Sequence, residues 1–138
     1  MDVGVGVSQV FPIVVAALDH TAGILAIEQP ELHIHPAMQV ELSDLFAQQI
    51  QATETQYLLE THSEHLMLRL LRRVRETAEG ELEPGAPPLK PDDLAVYYVS
   101  NTEEGVTLTR LRVDEDGDFK DRWPRGFFEE REAELFDD

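Results

Sequence analysis

The sequence predicts an α/β fold: a sheet with flanking helices, followed by a C-terminal β-hairpin and a short helix. Three observations lead to it. Ile24 to Glu28 and Gln56 to Glu60 are short apolar runs without polar alternation, the pattern of neighbouring or near-neighbouring parallel strands covered by helices on both faces. Each run ends in an acid and passes through a polar loop into a segment of helical periodicity. Beyond residue 93 the pattern changes to two alternating runs joined by NTEEG, which reads as a hairpin.

Ser8 to Asp19 is apolar almost all round, with Pro12 in or near the first turn, so it is expected as a buried helix preceded by a Gly4-Val5-Gly6 loop. Gly23 introduces the first strand and Pro30 stops it. His35-Pro36 suits an N-cap and N1 pair, and Met38, Leu42, Leu45, Phe46 and Ile50 recur at helical spacing over 36–52. Ser63 can cap the next helix. Its apolar stripe is Met67, Leu70, Leu71, Val74 and Ala78, and its polar face carries Arg69, Arg72, Arg73 and Arg75. Residues 80–93, dense in Pro and Gly, read as a linker between a lobe at 1–79 and an extension at 94–138. In the extension, Leu94 to Val99 and Val106 to Val113 read as strands. The second shifts its apolar parity between Leu108 and Leu111, a hint of a bulge. Phe119, Trp123, Phe127, Phe128 and Phe136 argue that the acidic end docks on the body, with Glu129 to Phe136 as a short helix.

Composition narrows the function. At 138 residues with 42% hydrophobic content, one core is the default, and a chain of this size folds without staples. It contains no cysteine, so disulfides, thiolate zinc sites and cysteine nucleophiles are excluded. The longest apolar stretch, Val10 to Leu18, is interrupted by Pro12 and falls short of the roughly 20 residues of a membrane span. The N-terminus lacks a basic signal region, and a cytoplasmic location is expected. A net charge of −17 repels a phosphate backbone, so nucleic acid is expected to be met only indirectly. The same acidic, Arg-rich balance also fits a halophilic or GC-rich source.

Chemistry is expected at the carboxyl ends of the strands, where open α/β sheets bind ligands. Glu28, Gln29, Glu31, His33 and His35 follow one strand; Thr61, His62, Ser63, Glu64 and His65 follow the other. An apolar strand ending in an acid such as Glu28 can hold Mg²⁺, or the acid can simply edge the sheet. Gly4, Gly6, Ser8 and Gln9 precede a helix and can present backbone N–H groups to an anion, although the dinucleotide fingerprint fails for want of a third glycine. The four histidines, with Glu31 or Glu64, also admit a metal site. Asp114, Asp116 and Asp118 suggest a calcium loop, but the glycine at 117 and Arg125 at position twelve break that pattern and leave an acidic turn.

Taken together, VGVGVSQV, ILAIEQPELHIHP and YLLETHSEHL resemble, in order and spacing, the signature motif, Walker B with D-loop, and switch-histidine loop of an ABC-type ATPase head. The resemblance covers about residues 2–70. The LHIHP and THSE forms are more similar to the OLD and RecF-like branch, with SMC proteins as further kin, than to transporter ATPases. The remainder resembles a C-terminal extension carried by a bacterial subset of these ATPases.

This resemblance implies a partial P-loop NTPase-like sheet. It implies that Gly4, Gly6, Ser8 and Gln9 form a signature loop addressing ATP in trans, on a second ATPase head. It puts Glu28 at the Mg²⁺ ligand, and Gln29 where the family usually has the glutamate that polarises the attacking water. Gln orients water but cannot take its proton; Glu31 is a substitute if the loop bends. His62 is implied as the switch histidine. The two lysines follow Leu89 and Phe119, so Gly-Lys-[Ser/Thr] of Walker A is absent from this sequence.

The chain is therefore expected to be half of a split site: a truncated product, a fragment, or a subunit whose P-loop lies on another polypeptide. Its partner would be a second head, as a homodimer or a P-loop-bearing chain. ATP and Mg²⁺ are expected in the complete protein and neither on this chain alone, and uncovered apolar surface should favour self-association. The expected function is a contribution to an ATPase of bacterial genome defence or repair. Two other readings are a non-catalytic interaction module working through the acidic extension and a His/carboxylate metal-dependent hydrolase.

Overall fold

The computed structural model describes residues 3–19 and 22–122 of the chain. The elements run α1 (Val3–Asp19), β1 (Ala22–Glu28), α2 (Pro36–Ala52), β2 (Glu54–Glu60), α3 (Glu64–Glu79), a 3-10 turn (Pro91–Asp93), β3 (Val96–Thr102) and β4 (Gly105–Leu111). The class is α/β. The strands β1 and β2 pair in parallel, from Ala22 opposite Glu54 to Glu28 opposite Glu60, with α2 as the crossover. The strands β3 and β4 form an antiparallel hairpin turning at Glu103-Glu104. The aromatic end expected to dock, from Trp123 onward, and the helix expected at Glu129 to Phe136 lie outside the described residues.

Local chemistry accounts for several boundaries. The His35 ring accepts the Ala37 N–H through Nδ1 at 3.2 Å, and Pro36 follows as the first helical residue. Ser63 Oγ accepts the Leu66 N–H at 3.0 Å, and Gly80 closes α3 in the left-handed conformation at φ 71°. One apolar cluster joins α1 (Val10), the turn after β1 (Ile34), α2 (Leu42, Phe46, Ala47), α3 (Leu66, Leu70, Leu71, Val74), the linker (Leu89) and the hairpin (Val96, Leu111). The linker thus reaches into the core. Leu89 is buried there, and its N–H donates to Thr77 Oγ1 at 2.9 Å.

Four expectations are corrected. Helix α1 starts at Val3, so Gly4 and Gly6 are helical rather than loop. Two interior glycines weaken a helix by about 1 kcal/mol each, but Gly6 lies against the turn after β1, where a methyl group would sit 3.6 Å from the His33 carbonyl oxygen, and this packing supports the extra turn. Nor is α1 buried all round: Val10 and Ala17 face the core, whereas Val7, Phe11, Val15 and Leu18 form an exposed stripe, with Phe11 65% exposed. The sheet is covered on one face only among the described residues; Ile24 and Leu58, which share the other face, are 67% and 66% exposed. Finally, β4 carries no bulge. Its register with β3 is continuous, and the parity shift arises because Leu111 faces the core while Val106 and Leu108 stay exposed on the opposite face.

Arg73 also departs from the polar face assigned to it. It is 4% exposed and lies between two carboxylates: Asp44 Oδ1 and Oδ2 at 2.8 Å, and Glu76 Oε2 at 2.6 Å. Its hydrogen bonds to Asp44 first, against the opposing effect of burial, and then to Glu76 raise its pKa above the ordinary value.

The acidic turn at 114–118 is closed by its own carboxylate. Asp114 Oδ1 accepts the N–H groups of Asp116 and Asp118 at 3.1 and 2.9 Å. Gly117 is buried with φ +75°, and a Cβ there would collide with the Leu71 carbonyl oxygen of α3 and reach Arg75 Cβ at 3.3 Å. Gly117→Ala is therefore expected to cost about 2–4 kcal/mol, from the left-handed backbone and the backbone clash together. Gly85→Ala is the control: φ is +86° but nothing lies within 4 Å, so only the backbone contribution remains. Denaturant unfolding measures both, and equal losses would sink the docking argument.

Candidate functional site

The parallel pairing brings the two polar loops side by side. Glu28 and Glu60 are register partners at the carboxyl ends of β1 and β2, and both are exposed. The pairing continues one residue further, because the Gln29 N–H donates to the Glu60 carbonyl at 2.7 Å. From there the first loop turns sharply. Gln29 (φ 46°) and His33 (φ 62°) adopt left-handed backbone, rare for side chains of this kind and a mark of constrained, site-bearing loops. Leu32 N–H closes the turn onto the Gln29 carbonyl at 3.1 Å, and Pro30 is fully buried beneath it.

A side-chain network ties this turn to the second loop. Glu31 Oε1 accepts the backbone N–H of His62 at 2.7 Å. Ser63 Oγ donates to Gln39 Oε1 at 2.5 Å, while Gln39 Nε2 donates to the Ile34 carbonyl at 3.1 Å, so one α2 side chain bridges both loops. Thr61 Oγ1 accepts the Ser63 N–H at 3.0 Å. Ser43 Oγ, fully buried, donates to the Leu66 carbonyl at 3.0 Å and fastens α2 to the first turn of α3.

The result is an open cleft of about 600 Å³ whose polar walls include Gln29, Glu31, His33, Gln39, His62 and His65. The sequence pointed to all of these except Gln39. That residue reads as ordinary polar helix surface, and only the fold shows that it lies between the two loops, one of which it meets at Ser63, 24 residues further along the chain. Gly6, Ser8 and Gln9 are not among the described residues that line the cleft. Gly6 packs against the His33 carbonyl and Ile34, and Ser8 and Gln9 are exposed on α1.

The donor set decides what the cleft can hold. Among the described residues no lysine or arginine lines it, whereas imidazoles, amides and carboxylates do. Imidazole and amide groups can donate hydrogen bonds to an anion, and carboxylates can take a cation. The metallohydrolase reading gains nothing from the geometry. Among the described residues no three His, Asp or Glu side chains are grouped as metal ligands, and the His35 Nδ1 lone pair is engaged in capping α2.

Residues 1–67 match the family model of an AAA ATPase domain, and residues 89–137 match that of a family described as protein of unknown function (DUF3696). No curated protein and no solved structure gave a significant match. The first half of the chain is thus similar to AAA-family ATPases. No helix among the described residues is long and apolar enough to cross a membrane.

Proposed function

We propose that this chain, ATPase-related in its first half, supplies one wall of a composite ATP site and turns over no nucleotide until a P-loop-bearing segment completes that site. One observation carries the reading: Gln29 and His62 share a cleft at the carboxyl ends of paired parallel strands, and among the described residues no lysine or arginine lines it to bind the rest of a triphosphate. When bound, Mg-ATP supplies the scissile phosphoanhydride and a cation that offsets charge on the transferring group.

Within that frame Glu28, at the end of β1, would hold Mg²⁺, with Glu60 beside it adding negative field. Gln29 orients the attacking water through its amide but cannot accept its proton, which favours slow turnover. His62, exposed at the cleft, donates to the γ-phosphate and stabilises charge as it develops. Gly4, Gly6, Ser8 and Gln9, on the first turns of α1, address a nucleotide held by a second head. The exposed stripe of Val7, Phe11, Val15 and Leu18 and the open sheet face at Ile24 and Leu58 support a partner of that kind.

The finer affiliation we propose is the OLD, RecF and SMC-like branch, in bacterial genome defence or repair in the cytoplasm. Nucleic acid would be met through the partner, because −17 net charge opposes direct contact. A second reading makes residues 94–138 the working part, an interaction module on an ATPase-like scaffold. It draws on the exposed hairpin face of Tyr97, Val99, Val106 and Leu108.

Calorimetric titration separates the two readings. Mg-ATP added to the 138-residue chain is expected to give no binding heat at millimolar nucleotide, and submicromolar to micromolar affinity is expected once a P-loop half is supplied in trans or by fusion. Tight binding by the chain alone overturns the composite site. No gain with the P-loop half leaves the scaffold reading in its place.

A further inference from the structure

The cleft's two loops are joined at different depths by different means. At the base, the Gln29 N–H meets the Glu60 carbonyl, an extension of the sheet ladder that needs no side chain. Near the rim, Glu31 reaches the second loop through its carboxylate, whose Oε1 accepts the His62 N–H at 2.7 Å. The distance is that of a charge-assisted hydrogen bond, roughly twice as strong as a neutral one. Its second oxygen, Oε2, is sealed from solvent with no donor among the described residues.

This geometry argues against Glu31 as the proton acceptor. A general base needs a lone pair within reach of the water it activates. One oxygen of Glu31 is engaged by main chain and the other is closed off. The backbone around Glu31 is also committed. Pro30 is buried before it, and the Glu31 carbonyl accepts the Ile34 N–H at 3.2 Å, so the side chain leaves a fixed turn. His62 differs: the residue is exposed.

We propose that Glu31 is a positioning residue that sets the height of the His62 imidazole by holding the His62 N–H, and that it acts only through His62. The proposal rests on the reading of His62 as the group facing the γ-phosphate. It explains why a carboxylate stands three residues beyond the strand in a site already rich in negative charge: its target is an amide. Because the Gln29 to Glu60 bond remains when Glu31 is changed, the loops stay joined at the base and the fold survives the substitution.

The test has two arms. In the isotopically labelled chain, Glu31→Ala is expected to speed amide exchange at His62 by about 10- to 100-fold, the loss of one hydrogen bond to a charged acceptor, with Leu66 and Val74 unchanged. Glu31→Gln keeps a carbonyl acceptor and should restore most of the protection. In the ATPase completed by a P-loop half, Glu31→Ala should lower kcat about 10-fold or more with KM for ATP within about 3-fold, and should add nothing in a His62→Ala background. Unchanged His62 exchange overturns the proposal, as does an equal kcat loss in both backgrounds. Turnover indifferent to His62→Ala removes the parent reading and this role with it; that outcome is told apart because the exchange arm still shows the contact.

Discussion

Arg73→Ala is expected to lower the stability of the chain by about 3 kcal/mol, a large share of the roughly 5–15 kcal/mol that holds a domain of this size together. The guanidinium is 4% exposed and pairs Asp44 of α2 with Glu76 of α3, so its removal leaves two carboxylates facing one another in a poorly solvated seam. The estimate sits at the low end for breaking a buried pair because each acid keeps a second partner: Arg69 for Asp44 at 3.2 Å and Arg72 for Glu76 at 2.5 Å. Replacing Arg73, Asp44 and Glu76 together by apolar residues of similar volume should cost less, since the charges that then lose their partners, Arg69 and Arg72, reach solvent.

Acid should reproduce part of the effect. Burial works to raise the Glu76 pKa, but the hydrogen bonds from Arg72 and Arg73 outweigh it and the net shift is downward. A depressed folded-state pKa means stability that is fully present above the ordinary glutamate value of 4.5 and is lost as pH falls through the lower, folded-state value. Urea unfolding from neutral pH to below 4 should show this decline in the parent chain and a shallower one in Arg73→Ala. An Arg73→Ala loss under 1 kcal/mol would mean that the seam is wet and the pairing incidental.

His62→Ala, in the enzyme completed by a P-loop half, is expected to reduce kcat by about 10²- to 10³-fold while KM for ATP moves less than about 3-fold. The asymmetry follows from where the imidazole sits. It lines the wall expected to face the γ-phosphate, and a donor aimed at charge that grows in the transition state contributes little to ground-state binding. Gln29→Glu tests the neighbouring role in the opposite direction. A carboxylate can accept the proton that an amide cannot, so turnover should hold or rise, despite the added repulsion from Glu28 and Glu60. Steady-state kinetics on both variants decide the matter. A wild-type rate in His62→Ala would falsify the switch role, and a tenfold fall in Gln29→Glu would show that Gln29 is needed as an amide donor.

Much of this architecture is legible in the residue order, for identifiable reasons. The His35 and Ser63 caps, the start of α2 at Pro36, and the end of both strands in glutamate rest on signals a few residues long. Where such signals pointed the wrong way, packing had overruled them. Gly4 and Gly6 mark a loop by propensity, yet the seat of Gly6 on His33 draws them into α1. Arg73 marks a wet helix face, yet Asp44 from another helix makes its burial tolerable.

The candidate site divides in the same way. Sequence by itself determined which groups stand at the strand ends, Glu28, Gln29, Glu31 and His62 among them, because an apolar run followed by polar residues and a helical stripe fixes where a strand stops, and parallel strands put those stops on one side. The tertiary structure alone decided what each group touches. The Glu31 bond to the His62 amide, the Ser63 bond to Gln39 and the seat of Gly117 on Leu71 all join residues more than twenty positions apart. A hydrogen bond or a steric contact of that kind depends on distances of a few tenths of an ångström between segments. No local propensity encodes such distances; they are set by the packing of the whole core.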